Sequence, residues 1–246
     1  MNETYAKVAI VTGASRGIGA SIAMRLATDG FAVVINYSSE AAPAEALVAS
    51  IRDVGGKADC FRADVSDPVA VSALFNFAES SFGGLGVLVN NAGMLTTSTI
   101  AEFDDDAFDR LVAVNLKGCF NAMRESAKRM CDGGRIINLS SSVIGLNQPQ
   151  YGVYVATKAG VEAMGRVLAK ELRGRNICVN AVAPGPTETE LFLEGKSDDL
   201  VDSFAKLSPL ERLGQPDDIA SVVSFLAGSD GGWVNGQVLR ANGGIV

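Results

Sequence analysis

Tyr154 and Lys158 stand four residues apart in Y-G-V-Y-V-A-T-K-A-G, residues 151–160. On a helix that spacing stacks two side chains on one face. A free phenol titrates near ~10 and barely ionises at neutral pH, but an ammonium within ~4–6 Å favours phenolate and lowers that value. Tyr154 could then give a proton to a developing alkoxide, or take one from an alcohol in reverse. The same spacing also suits a ring and a lysine stem packed on a core. Tyr151 lacks such a partner, since Val155 is four residues on. Upstream, I-N-L-S-S-S-V-I-G (137–145) sets Ser140, Ser141 and Ser142 in a row. A serine hydroxyl there could hold a carbonyl oxygen and stabilise charge developing on it. The chain has no histidine, which excludes histidine-activated serine or cysteine nucleophiles and histidine-ligated zinc. No metal site is expected, and proton transfer must use Tyr, Lys, Asp or Glu.

Short apolar strands alternating with helices must position these groups. Strands are predicted at Val8–Val11, Ala32–Asn36, Ala58–Arg62, Val87–Asn90, Arg135–Asn138, Cys178–Val182 and Gln237–Arg240, with helices over roughly 18–29, 40–54, 68–81, 106–130, 152–172 and 216–228. Runs such as V-A-I-V and V-L-V-N suit strands buried on both faces of a parallel sheet. Helix starts are legible at Ser66-Asp67-Pro68 and at Gln215-Pro216-Asp217-Asp218, each a cap before a first-turn proline. The alternation predicts an α/β fold, a doubly wound parallel sheet with helices on both faces, in a single domain over 1–246. Segment 186–214, rich in Pro, Glu, Asp, Leu and Phe, breaks the rhythm. It reads as a helical flap beside the strand ends, where such sheets bind ligands.

After the first strand, T-G-A-S-R-G-I-G (12–19) leads into a helix. Gly13, Gly17 and Gly19 let the backbone turn, approach a pyrophosphate and aim the helix N-terminus at it, with Ser15 and Ile18 in the same turn. The spacing is G-x-x-x-G-x-G rather than G-x-G-x-x-G. An NAD site normally ends its second strand in a carboxylate for the ribose 2′-hydroxyl. Here Asn36, Tyr37 and Ser38 follow, with no carboxylate before Glu40, and Arg16 offers paired hydrogen bonds to a 2′-phosphate. NADP(H) is therefore expected over NAD(H); the plain alternative is that Arg16 is a solvated surface residue. Asp64, beside Val65, can reach an adenine edge or serve a turn next to the cap at Asp67. In N-N-A-G (90–93), Asn91 and Ala92 fit a polar crevice and Gly93 leaves room for a cofactor.

In order, T-G-A-S-R-G-I-G, N-N-A-G, S…Y-x-x-x-K and V-N-A-V-A-P-G resemble the short-chain dehydrogenase/reductase family over essentially the whole chain. The resemblance implies a seven-stranded Rossmann sheet, usually a homotetramer, and an Asn-Ser-Tyr-Lys tetrad. It makes Tyr154 the acid/base, Lys158 its electrostatic partner and a ligand of the nicotinamide ribose, and Asn115 in A-V-N-L-K-G the fourth member. Asn115 fits on its own grounds too: mid-helix asparagine is mildly unfavourable and Gly118 weakens the helix, favouring a water-binding kink. The family's serine lies thirteen residues before the tyrosine and three after the strand's asparagine, which gives Ser141. The glycine often found three beyond that serine stands three beyond Ser142, the reserve candidate. Pro184 and Gly185, in A-V-A-P-G-P-T-E-T (181–189), begin the segment that would cover the nicotinamide. Thr187 would bond the carboxamide through its backbone and Thr189 through its hydroxyl.

Leu191, Phe192, Leu193 and Phe204 of the flap would form an apolar pocket for ketones or aldehydes of modest polarity. The expected activity is NADPH-dependent carbonyl reduction, or the reverse oxidation of a secondary alcohol. A rival within the family is reduction of a 3-oxoacyl chain on acyl carrier protein, whose acidity requires a basic patch such as Lys128, Arg129, Arg135, Arg173 and Arg175. N-Y-S-S after the second strand also resembles reductases of polyhydroxynaphthalenes, glucose and assorted carbonyls. The alternative from another class is an NADP(H)-binding protein without turnover. A net charge of −7 disfavours nucleic acid. No run approaches the ~18 apolar residues of a membrane span. M-N-E-T-Y-A-K lacks the basic start and apolar run of a signal peptide. Cys60, Cys119, Cys131 and Cys178 form no paired spacing, so a reduced cytoplasmic protein is expected.

Overall fold

The computed structural model describes residues 7–246; residues 1–6, on which the expectation about the chain's start partly rests, lie outside the described residues. Seven strands form one parallel sheet: β1 (Val8–Val11), β2 (Ala32–Tyr37), β3 (Lys57–Arg62), β4 (Val87–Asn90), β5 (Arg135–Leu139), β6 (Cys178–Pro184) and β7 (Val238–Ala241). Their order is β3-β2-β1-β4-β5-β6-β7. The order reverses between β1 and β4, which pair with Val11 opposite Val89. Connections leaving the C-terminal ends of these two strands therefore diverge, and a crevice opens between them.

Helices cover both faces: α1 (Gly17–Thr28), α2 (Ala41–Asp53), α3 (Pro68–Phe82), α4 (Asp105–Val112), α5 (Cys119–Arg129), α6 (Val143–Leu146), α7 (Gly152–Glu171), α8 (Glu190–Leu193), α9 (Asp198–Leu207) and α10 (Pro216–Ala227). The two-residue period of a strand divides β1 between two cores. Ala9 and Val11 pack with Ile22, Leu26, Ile219 and Val223 of α1 and α10. Val8 and Ile10 pack with Leu74, Phe75 and Val161 of α3 and α7. Burying a side chain such as Phe75 or Ile10 completely contributes roughly 1.5–3 kcal/mol, so both layers are anchored to the strands whose ends form the crevice.

Both predicted starts are built as caps. The Asp67 carboxylate accepts from Val69 N at 2.8 Å, and Gln215 N donates to Asp218 Oδ2 at 2.7 Å in a capping box. The flap consists of two short helices, with Thr189 capping α8 and Ser197 capping α9. The helix expected over 106–130 runs as α4 to Val112, a π-helix over Ala113–Gly118 and then α5, so the weakness expected at Asn115 takes the form of a π-helical stretch. The four cysteines are free thiols. Among the described residues no helix is long and apolar enough to cross a membrane.

Candidate active site

A cavity of about 570 Å³ lies at the carboxyl ends of β1, β4 and β5, beneath the flap. It brings together every predicted site residue except Ser15, Tyr37, Asn115 and Leu193. Ser15 is half-buried off the cavity wall. Tyr37 shares a strand face with Val33 and Ile35 and packs on their core, because alternate residues point the same way. Asn115 stands behind the wall.

Two asparagines of the cavity wall also fix the glycine turn. Gly13 (φ +59°) and Gly17 (φ +55°) adopt left-handed backbone that favours glycine. Asn36 Oδ1 accepts from Gly13 N at 3.2 Å, while its Nδ2 donates to Ala63 O at 3.0 Å. Asn91 Nδ2 donates to both Thr12 O and Gly13 O at 2.9 Å. Its neighbour Asn90 turns the other way and donates to Asn138 Oδ1 at 2.8 Å in the sheet. Asp64 lines the cavity yet also performs turn chemistry, accepting from Ser66 N at 2.9 Å and Ser66 Oγ at 2.7 Å. Burial opposes ionisation of Asp64, but these bonds outweigh it and hold the carboxyl below its ordinary value. Arg16, exposed at the mouth, meets Glu40 at 3.6 Å and Glu190 of the flap at 3.5 Å.

Lys158 is buried, and its Nζ donates to Leu139 O at 2.8 Å. It lies 5.8 Å from the centroid of the Tyr154 ring. Burial pulls the lysine down to about 8, against a smaller upward pull from Cys119. Burial pushes Tyr154 up to about 12, and a hydrogen bond with Ser141 opposes this. The expectation that the ammonium would lower the phenol is thus corrected. Desolvation disfavours whichever form is charged, so in a shared apolar site it keeps the proton on the phenol and loosens it on the lysine.

Of the three serines, only Ser141 meets Tyr154. Ser140 Oγ donates to Glu162 Oε1 at 2.6 Å. Ser142 Oγ donates to Ala183 O and accepts from Asn242 Nδ2, both at 2.9 Å. Asn115 occupies the π-helix, where the normal bonding ladder is interrupted. Its Oδ1 accepts from Met94 N and its Nδ2 donates to Met94 O, both at 2.9 Å. The side chain therefore pins the segment after Gly93. Gly118 serves close packing here, since a Cβ would stand 2.6 Å from Val65 Cγ2.

In the flap, Leu191, Phe192 and Phe204 line the cavity, and the rings of the two phenylalanines meet edge-on at 5.4 Å. Leu193 is outside the lining and exposed, a correction that follows from its position on a one-turn helix whose inner side is taken by its neighbours. Thr187 and Thr189 line the wall, but the Thr189 hydroxyl already accepts from Phe192 N at 3.2 Å as a cap. Glu162 escaped the sequence reading although it continues the i, i+4 row of Tyr154 and Lys158 and pairs with Arg166 at 3.7 Å. Tyr151, set aside for lack of a lysine, lines the cavity beside Tyr154.

The residues fit a dinucleotide. Helix α1 has no side-chain cap, so its first N–H groups remain available to a phosphate. A Cβ at Gly93 would fill space bounded by Asn115 Oδ1 at 3.4 Å and Lys158 Nζ at 3.5 Å. Among the described residues no group of three or more His, Cys, Asp or Glu is placed to hold a metal.

A family model described as enoyl-(acyl carrier protein) reductase matches residues 13–246. The chain is similar to a short-chain type dehydrogenase/reductase of Picea abies, 48% identical over 98% of this chain and 92% of the relative. An NADPH-dependent aldehyde reductase-like protein, chloroplastic, of Arabidopsis thaliana is 46% identical over 98% and 94%. A 3-oxoacyl-[acyl-carrier-protein] reductase of Staphylococcus aureus is 41% identical over 97% and 98%. Among solved structures, a blue fluorescent protein from a metagenomic library in complex with NADPH superposes with a TM-score of 0.93 at 35% identity, covering 100% of both chains.

Proposed function

The chain belongs to the short-chain dehydrogenase/reductase family, and from that premise we propose that it is an NADPH-dependent carbonyl reductase acting on a small ketone or aldehyde, reversibly. The observation that carries this is the Tyr154 phenol, bonded to Ser141 and facing the cavity beside buried Lys158. Bound nicotinamide would supply the hydride. Tyr154, its proton held firmly by burial, protonates the oxygen of the carbonyl being reduced, and the Ser141 hydroxyl holds that oxygen in place. Lys158, fixed by Leu139 O, offsets the charge that Tyr154 acquires and holds the nicotinamide ribose. Asn115 keeps the wall at Gly93 and Met94 in register.

The glycine turn and the start of α1 hold the pyrophosphate. Arg16 takes the 2′-phosphate, exchanging its pairing with Glu40 for a stronger bidentate one. The names of the Arabidopsis relative and the metagenomic complex support this preference. The test is titration of NADPH and NADH into wild type and Arg16→Ala, followed by a panel of ketones and aldehydes. Loss of a charged hydrogen-bonding pair should weaken NADPH by roughly 10–100-fold and NADH about twofold or less. Equal weakening of both would remove Arg16 as the phosphate reader.

A pH dependence follows from the lysine. With Lys158 near 8 in the free enzyme, its ammonium is present below that pH and lost above it. Since kcat/KM for NADPH reports groups of the free enzyme, it should be level from pH 6 to 7.5 and fall roughly tenfold for each unit above about 8. A level profile to pH 10 would contradict the role given to Lys158.

The acyl carrier protein reading is favoured by the Staphylococcus relative, but three arginines of the proposed basic patch are already engaged. Arg129 meets Glu125 at 2.9 Å and Glu79 at 3.7 Å. Arg135 is buried and donates to Gly134 O at 3.0 Å. Arg175 donates to Ala127 O at 2.6 Å and to Met130 O, and meets Asp132 at 2.9 Å. A free small molecule is the better-supported substrate. Trp233, 98% exposed, and Phe225, 41% exposed, support self-association, as the homotetramer of our reading. The free thiols support a reducing compartment, which we take to be the cytoplasm.

A further inference from the structure

The loop between α6 and α7 sets a second phenol beside Tyr154 on the cavity wall. Asn147 (φ +50°) and Gln150 (φ +72°) are non-glycine residues in left-handed backbone, a conformation that persists only where its surroundings impose it. The loop is held by Ser98 N donating to Gln150 O at 3.0 Å and by Tyr151 N donating to Gln148 O at 3.3 Å. The outcome is Tyr151, half-buried on the cavity wall, its ring edge-on to Tyr154 with centroids 6.4 Å apart. Among the described residues no group hydrogen-bonds the Tyr151 hydroxyl. The Gln148 amide, at the cavity rim, is also without a partner there.

Besides Ser141 and Gln148, the cavity wall carries the apolar side chains of Met94, Val143, Leu146, Leu191, Phe192 and Phe204. The cations on the wall are elsewhere or engaged. Lys158 bonds Leu139 O, Arg16 pairs with Glu40 and Glu190, and Arg110 acts on Asp64 at the far end. A neutral hydrogen-bonding group therefore stands next to the reacting phenol, among apolar side chains and with each cation of the wall already engaged. A ligand that displaces water without offering Tyr151 an oxygen leaves a polar group unpaired, and such sites discriminate strongly against the lacking analogue.

We infer that Tyr151 is a specificity residue, and that the substrate is a neutral carbonyl compound with a second oxygen near the reacting carbon and an apolar substituent, for which a 1,2-diketone or 2-hydroxyketone is the test case. This rests on the reductase reading above. The reacting carbonyl gains a hydride at carbon from bound NADPH, which leaves as NADP⁺, and a proton at oxygen from Tyr154. The second oxygen stays unreacted, hydrogen-bonded to Tyr151.

The experiment compares wild type with Tyr151→Phe, which keeps the ring and its edge contact. The substrates are 2,3-hexanedione, 2-hexanone and 2-oxohexanoate with NADPH. In parallel, calorimetry measures 2,3-hexanediol binding to the enzyme–NADPH complex, where no turnover occurs. We expect Tyr151→Phe to lower kcat/KM for the dione at least tenfold more than for the monoketone, and to weaken the diol by a similar factor. The 2-oxo acid should be at least tenfold poorer than the dione in wild type. Loss of equal size on dione and monoketone, or an unchanged diol affinity, would overturn the inference while leaving the reductase reading intact. Wild type that binds the diol in a Tyr151-dependent way but reduces none of the three compounds would keep the site and overturn the reductase reading.

Discussion

Tyr154→Phe is expected to lower kcat by about 10²–10⁴-fold, the usual contribution of a positioned proton donor, with NADPH affinity changed by about twofold or less. Phenylalanine keeps the ring's edge contact with Tyr151 and its place 5.8 Å from Lys158 Nζ. What disappears is the proton and the bond to Ser141. Because burial holds that phenol near 12, wild type carries the proton at any pH from 6 to 9, and the deficit of the variant should be constant over that range. A deficit that closed towards high pH would mean that the phenol loses its proton within that range. Steady-state rates and a fluorescence titration of NADPH check both statements, and equal rates for the two proteins would remove Tyr154 from the mechanism.

Lys158→Met should separate activity from stability. Activity should fall at least about 100-fold, since no cation would remain to offset charge on Tyr154 and to hold the ribose. Stability at pH 7 should rise. The native lysine titrates near 8 and the unfolded one near 10.5, so at pH 7 the folded state carries an ammonium that burial disfavours. At ~1.4 kcal/mol per unit that is on the order of 3 kcal/mol, and losing the Leu139 bond takes back about 1 kcal/mol. The sign with pH is definite. Between 8 and 10.5 the unfolded chain binds the proton that the folded chain has released, so wild type gains stability as pH rises. The variant's advantage, several degrees in Tm at pH 7, should shrink towards pH 9.5. Working below 10 avoids Tyr154, whose raised value contributes the opposite slope between 10 and 12. A variant melting below wild type at pH 7 would show that the ammonium is well accommodated after all.

Much of the site was legible because it depends on local spacing. Four residues on a helix put Tyr154 and Lys158 on one face whatever lies around them. The turn at Gly13 and Gly17 needs left-handed backbone that few other residues tolerate. Glu162 was equally legible, being one more step along the same helical row, but an acid at that position reads as solvated until Ser140 is seen to face it. The π-helical stretch at Asn115 was anticipated as a weakness in the helix. Its consequence was not, because the partner, the Met94 backbone, is distant in sequence.

By itself, the sequence determined the strand and helix order, the doubly wound sheet, and the residue types that could exchange a proton, since a chain without histidine is left with Tyr, Lys, Asp and Glu. Those properties follow from periodicity, backbone conformation and side-chain type, which act within a few residues. Only the tertiary structure decided which serine meets Tyr154, that Asn36 and Asn91 brace the turn, that three arginines of the supposed docking patch are engaged, and that burial raises the phenol against the pull of its Ser141 bond. Each of those depends on how much water a group keeps and which distant backbone atoms reach it first. Desolvation and long-range hydrogen bonding are set by the packed layers, and no local pattern encodes them.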